Sequence, residues 1–264
     1  MKYALITGGA SGMGRATALK LAKEGYYVFS LDIKKNQDCE NIEQIVVDVT
    51  NMVSIENAYS KVCEKTSNLD AIIHFAGIIM MNSLIEISEK EFERIFNINL
   101  FGVYRVNKVF FPLIEKNKGK IIITTSELAP NKILPFNAIY AISKKSLDAY
   151  AEGLRMELGL LGIPVITLRP GAVETTLLND STNEMNQLKD NTNLYKNNTS
   201  KFKKIVDSQQ GTAIPPEKIA NLVFKLLCKK RTKFTYSKNA SVKLKLLNSV
   251  PAKLQLKIFR KLLK

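Results

Sequence analysis

The sequence predicts an α/β protein: one doubly wound parallel sheet of about seven strands, arranged as three α/β/α layers. Three observations carry this. Short, near-continuous apolar runs recur along the chain, as strands buried on both faces require. Each run ends in glycine or polar residues and is followed by a stretch of helical spacing, the alternation that builds parallel sheets. The first such junction is the glycine-rich TGGASGMG, Thr7 to Gly14. With 264 residues and 45% apolar content, a single large domain can bury its own core.

Taken in order, YALIT (3–7) is the first strand, and RATALKLAKEG (15–25) is a helix that Gly25 terminates. YYVFSLD (26–32) and IVVDV (45–49) follow as strands separated by a polar loop. AIIHFAG (71–77), KIIITTS (120–126) and IPVITLRPG (163–171) continue the series, with helical stretches at 52–67, 88–117 and 138–161. Residues 178–212 are polar and rich in Asn, Thr, Ser and Lys. A polar segment that long inside a compact domain is expected to be a lid over a functional site.

The formal net charge of +15 is unevenly placed. Residues 1–217 hold 25 basic against 24 acidic residues, whereas 218–264 hold 14 basic and no acidic ones. The body is therefore an ordinary neutral globule with a basic tail, and nucleic-acid binding is not expected. Cys39, Cys63 and Cys228 lie far apart, which suggests neither a disulfide framework nor a zinc site, and no metal is expected. The start MKYALITGG is too short in apolar residues for a signal peptide, and no run approaches the roughly 20 residues of a spanning helix. A cytoplasmic, possibly membrane-surface location is the expectation.

In open parallel sheets ligands bind beyond the carboxyl ends of the strands, and the chemistry-bearing residues fall at such ends. Gly8, Gly12 and Gly14, with Ser11 and Met13 between them, form a turn from strand to helix where the backbone can approach a pyrophosphate and the helix N-terminus favours its charge. The spacing is G-x-x-x-G-x-G. Asp32 ends the second strand, where a carboxylate binds adenosine ribose hydroxyls and repels a 2'-phosphate; this favours NAD over NADP, although Lys34 and Lys35 follow closely. Asp48 and Val49 end the third strand and are placed to line an adenine pocket. Tyr140 and Lys144, in YAISK, share one helical face. A phenol with pKa about 10 is a poor base at neutral pH, and a nearby cation favours its phenolate.

On these motifs the chain resembles the short-chain dehydrogenase/reductase family over roughly residues 2–237. T-G-G-A-S-G-M-G matches its cofactor turn, Y-A-I-S-K its catalytic helix, and Ser126 in ITTS its serine. N-I-N-L-F-G points to Asn99 as its asparagine, and Pro170, Gly171 and Thr175 match its P-G-x-x-x-T. The resemblance implies a Rossmann-type sheet, and Tyr140 as acid or base. It implies further that Lys144 holds the nicotinamide ribose, that Ser126 binds the substrate oxygen, and that Asn99 holds a relay water. Thr175 and the backbone near Val173 would grip the nicotinamide amide, and homodimers or homotetramers would form through the long fourth and fifth helices. Two departures stand out. N-N-A-G is here H-F-A-G, retaining Ala76 and Gly77 but placing His74 and Phe75 where amides are usual, and the Ser126–Tyr140 interval is one residue longer.

At the C-terminus, SVPAKLQLKIFRKLLK places Lys253, Lys257, Arg260, Lys261 and Lys264 on one side of a helix starting near Pro251. Leu254, Leu256, Ile258, Phe259, Leu262 and Leu263 cover the other. Such a helix suits either an anionic membrane surface or packing against protein. The chain is thus expected to be a core domain, 1–237, with a basic amphipathic tail, 238–264. Its expected reaction is the NAD-linked interconversion of a secondary alcohol and a ketone or aldehyde, with a hydrophobic steroid- or retinoid-like compound as one candidate substrate. The alternatives are an NADPH-linked 3-oxoacyl thioester reductase and a non-catalytic nucleotide-sensing scaffold.

Overall fold

Seven parallel strands form the sheet of the computed structural model, in the order β3-β2-β1-β4-β5-β6-β7. They are β1 (Lys2–Thr7), β2 (Tyr26–Asp32), β3 (Ile42–Val46), β4 (Ala71–His74), β5 (Lys120–Thr124), β6 (Val165–Pro170) and β7 (Thr235–Lys238). The structure describes residues 1–37, 39–210 and 213–264, with the backbone alone for 205–210. Residues 211 and 212, the end of the expected lid, lie outside the described residues.

Alternation within each strand divides the core into two layers. Leu5, Phe29, Leu31, Ile72, Ile121 and Ile123 face α2 (Met52–Lys65), α4 (Gly102–Lys116) and α5 (Ala138–Leu160). Ala4, Ile6, Val28, Ile73, Ile122 and Ile166 face α1 (Gly12–Lys23) and α8 (Glu217–Cys228). Because both faces are covered, polar side chains collect at the carboxyl ends of the strands. Strand order reverses between β1 and β4, and the crevice of such a sheet opens there.

Three elements differ from expectation. The third strand pairs with β2 from Ile42 to Val46 rather than over 45–49, so Asp48 and Val49 belong to the turn before α2. The edge position of β3 explains the shift: Glu43 and Gln44 are tolerated because only part of this strand is buried. The expected polar lid is a pair of helices, α6 (Thr176–Asn191) and α7 (Lys196–Gln210). Met185, Leu188 and Phe202 anchor it against Met81 and Phe136. Phe136 adopts φ +61°, a left-handed conformation uncommon for a bulky residue. Its ring is held edge-on by Tyr195 and Phe202, with centroids 5.3 and 5.5 Å away.

The tail also folds. Beyond β7 it forms α9 (Val242–Asn248) and α10 (Ala252–Leu263), and α10 packs on α7 through Phe259 and Leu263. Asn198 Nδ2 donates to the Leu263 carbonyl at 2.7 Å, and Asn248 Nδ2 to Asn131 Oδ1 at 2.7 Å. Among the described residues no helix is long and apolar enough to cross a membrane.

His74 takes a structural place on β4. Its Nε2 lies 2.9 Å from Asn107 Oδ1, and Asn107 Nδ2 donates to the Tyr150 hydroxyl, tying β4 to α4 and α5. Burial lowers the His74 pKa to about 4, so the folded protein holds it neutral. Between pH 6.5 and about 4 the unfolded chain binds a proton that the folded chain refuses, and stability falls as pH falls through that window. Denaturant unfolding at pH 7.5 and pH 5 should show wild type losing about 2 kcal/mol more than His74→Asn.

Candidate active site

The first helix turn is the most sterically constrained part of the site. Gly14 admits no side chain, because a Cβ there would stand 2.0 Å from the Gly8 carbonyl oxygen. Gly8, at φ +72°, would bring a Cβ within 2.6 Å of the Ala76 amide nitrogen. The turn therefore lies flat against the end of β4. Ser11, the N-cap of α1, makes no side-chain hydrogen bond to the helix, and the first turn holds no acidic residue. The free amides of that turn remain available to an anion.

Asp32 stands beside this turn at the end of β2. Its Oδ2 accepts from Ala10 N at 3.0 Å and its Oδ1 from Lys34 N at 3.1 Å, which fixes the carboxylate on the rim of the crevice. The crevice runs past Ser11, Gly12 and Met13, past Asp48 and Val49, and along Ala76 and Gly77 to Thr175. Asp48 Oδ1 accepts from both the amide and the hydroxyl of Thr50, at 2.8 and 2.7 Å. Thr175 packs on the turn so closely that a Cβ on Gly12 would meet its Cγ2 at 2.9 Å.

At Gly77 the crevice opens into a second cavity, which contains Ser126, Tyr140 and Lys144 with Pro170, Gly171 and Val173. The long α5 carries Tyr140 and Lys144 one turn apart, while Ser126 lies just past the end of β5. The Ser126 hydroxyl faces the Tyr140 phenol, close enough to pull its pKa down, and accepts from Leu128 N at 3.1 Å. Lys144 Nζ lies 5.9 Å from the Tyr140 ring centre and donates to the Thr124 carbonyl at 3.4 Å.

Burial dominates the electrostatics. It pushes the phenol of Tyr140 up to about 12, offset in part by the Ser126 hydroxyl and reinforced by the nearby Glu127 carboxylate. It pulls the Lys144 amine down to about 8. Each group alone is thus driven towards its neutral form, and a base at neutral pH requires further positive charge beside the phenol.

Asn99 is fully buried behind Gly77 in a π-helical turn, Asn97–Phe101, between α3 (Glu89–Phe96) and α4, and a Cβ on Gly77 would stand 3.0 Å from its Oδ1 and 3.4 Å from Lys144 Nζ. Its Oδ1 accepts from Ile78 N at 2.8 Å, and its Nδ2 donates to Ile78 O and Ser143 Oγ, both at 3.0 Å. Ser143 in turn donates to the Tyr140 carbonyl at 2.8 Å. Asn99 therefore fastens the segment after β4 to the helix that carries Tyr140 and Lys144.

Sequence reasoning missed several lining residues, among them Glu127 and Leu244. Glu127 carried a signal, being a charged residue next to Ser126 at a strand end. Leu244 carried none, because it reaches the cavity only through the folding of α9.

A dinucleotide-type sheet with a serine, a tyrosine and a lysine gathered where its crevice opens defines a nucleotide-dependent oxidoreductase. Residues 2–186 match the family model described as short chain dehydrogenase. The chain belongs to that family and is an NAD(P)-dependent oxidoreductase acting on CH–OH groups. Among its relatives is the 3-ketodihydrosphingosine reductase of Bacteroides thetaiotaomicron, 27% identical over 87% of this chain and 85% of that protein. The estradiol 17-beta-dehydrogenase 2 of Rattus norvegicus is 31% identical over 67% of this chain, which spans about half (49%) of that longer protein. Among solved structures, the alcohol dehydrogenase of the archaeon Thermococcus sibiricus complexed with 5-hydroxy-NADP superposes with TM-score 0.72 at 25% identity, covering 91% of this chain and 97% of that one.

Because Asn99 saturates the amide and carbonyl of Ile78, Asn99→Leu should leave those two partly buried backbone groups unpaired and remove a donor from Ser143. A loss of about 2 kcal/mol or more in denaturant unfolding is expected; unchanged stability would show that the fastening is dispensable.

Proposed function

We propose that the protein interconverts a secondary alcohol and a ketone or aldehyde on a hydrophobic substrate, with NAD as the preferred cofactor. The observation that carries this reading is the cavity beside Ser126 and Tyr140, whose walls are largely apolar: Ile79, Met81, Leu134, Leu178, Phe202 and Leu244 line it. The turn around Gly8, Gly12 and Gly14 fits the pyrophosphate, and Asp32 fits the ribose hydroxyls while opposing a 2'-phosphate. When bound, the nicotinamide supplies or takes the hydride.

The chain's own residues supply the proton chemistry. Tyr140 gives a proton to the carbonyl oxygen in reduction and takes it from the hydroxyl in oxidation. Lys144 stabilises the phenolate and holds the ribose, and Ser126 donates a hydrogen bond to the substrate oxygen as charge develops there. Asn99 acts on this set through the segment after β4 and through Ser143.

Two surfaces support further parts of the reading. Phe101 and Tyr104 near the start of α4 and Met156 and Leu160 on α5 are large, exposed apolar residues, fitting a homodimer or homotetramer built through these helices. On α10, Leu254, Leu256 and Leu262 remain about half exposed beside the basic face, which fits contact with an anionic membrane surface.

Tyr140→Phe should reduce turnover at least 1,000-fold while NADH titration by nicotinamide fluorescence stays within about twofold of wild type; retained turnover would refute the assignment. In the same titration wild type should bind NADH more tightly than NADPH, and Asp32→Ala should erode that preference about tenfold. Tighter NADPH binding in wild type would instead favour the NADPH-linked thioester reductase. In flotation with phosphatidylserine-containing vesicles, the combined Lys253→Glu, Lys257→Glu and Lys261→Glu variant should lose binding that wild type shows. Equal flotation would sink the membrane contact.

A further inference from the structure

The cavity beside Tyr140 holds a carboxylate that the reaction itself does not need. Glu127 follows Ser126 directly, and its backbone is pinned by its amide, which donates to the Pro170 carbonyl at 2.9 Å. Its Oε2 accepts from the Ser241 amide at 2.6 Å, at the start of the folded tail. Its Oε1 points towards Gly171, lying 3.2 Å from where a Cβ there would stand, and carries no hydrogen bond among the described residues. No lysine or arginine of the described residues forms an ion pair with it. Lys245 pulls on the carboxylate from the exposed side without forming an ion pair with it, and the Nζ of Lys145 is held by the carbonyls of Ala129 and Asn131 at 2.9 and 2.6 Å.

A half-buried carboxylate without a cation in contact is costly in an apolar cavity. Burial accordingly pushes the Glu127 carboxyl upward, against the opposing pull of the Ser241 amide and of Lys245. A ligand cation delivered to Oε1 would relieve that cost. The location is selective: Glu127 lines the same cavity as Ser126 and Tyr140, and its carboxylate is near enough to push the Tyr140 phenol upward, so it is placed to meet a group one or two carbons from the oxygen at Ser126 and Tyr140.

We propose that Glu127 is a specificity-determining residue that binds a protonated amine beside the reacting carbon, so that the preferred substrate is a long-chain 2-amino ketone or 2-amino alcohol. The inference rests on the oxidoreductase reading above and deepens it. The apolar part of the substrate lies against Met81, Leu134, Phe202 and Leu244, and the amine faces Oε1 while the carbonyl oxygen faces Ser126 and Tyr140. Glu127 touches neither the reacting carbon nor its oxygen, so its effect falls on binding and orientation.

The test compares two ketones of equal chain length, one with a protonated amine at the carbon next to the carbonyl and one with a methyl group in its place. NADH and NADPH oxidation are followed with wild type and Glu127→Gln. The glutamine keeps an oxygen acceptor for the Ser241 amide, so the fold of the tail is retained while the charge is lost. Wild type should favour the amino ketone at least tenfold in kcat/KM. Glu127→Gln should raise KM for the amino ketone at least tenfold and leave KM for the methyl ketone within twofold. Equal use of both ketones by wild type, or an equal loss on both in Glu127→Gln, would overturn the inference while sparing the oxidoreductase reading. Turnover of neither ketone with either cofactor would overturn both.

Discussion

A lysine amine buried without an acidic partner is the constraint around which this site is organised. Lys144 is 6% exposed, and its one hydrogen bond among the described residues is a long contact with the Thr124 carbonyl. Burying an ammonium this way is unfavourable, and burial pulls its pKa down to about 8. The Tyr140 phenol one turn away is pushed in the opposite direction, to about 12. Two groups that each resist charging alone favour it together, and a cationic ring beside them favours the phenolate further. The α5 helix, the longest in the chain, keeps the pair in register, and Asn99 and Ser143 fix its first turns to the segment after β4.

Much of this was legible in the sequence because parallel strands buried on both faces leave near-continuous apolar runs. YYVFSLD coincides with β2 residue for residue. The glycine turn was legible for a different reason: Gly14 has no room for a methyl group, so sterics dictate the residue type whatever the ligand. Where strand burial weakens, legibility weakens with it. The edge strand β3 starts three residues before the apolar run that marks it, and β7, with only partly buried and exposed side chains, leaves no pattern of its own.

The lid and the tail show a second limit. The composition of residues 178–212 is polar enough to read as loop, yet Ser181, Met185 and Leu188 recur at helical spacing and bury one stripe of α6. An amphipathic helix such as α10 has the same pattern whether its apolar side meets lipid or protein, so the sequence left both open. In the structure Phe259 and Leu263 meet the lid, whereas Leu254, Leu256 and Leu262 remain exposed. Leu244 and the Ser241 amide, both brought in by that folding, then become part of the cavity wall and of the anchorage of Glu127. Contacts of this kind join residues more than 100 positions apart and have no local signature.

The central claim is that Lys144 makes the buried Tyr140 phenol usable as a base at moderate pH. The most direct measurement is the pH dependence of NAD-linked alcohol oxidation between pH 6 and 10.5, for wild type and Lys144→Met. The account predicts that the wild-type rate rises with pH and levels off below pH 10, and that Lys144→Met moves the rise to higher pH. A wild-type rate still climbing at pH 10.5, or a profile that Lys144→Met leaves in place, would contradict it.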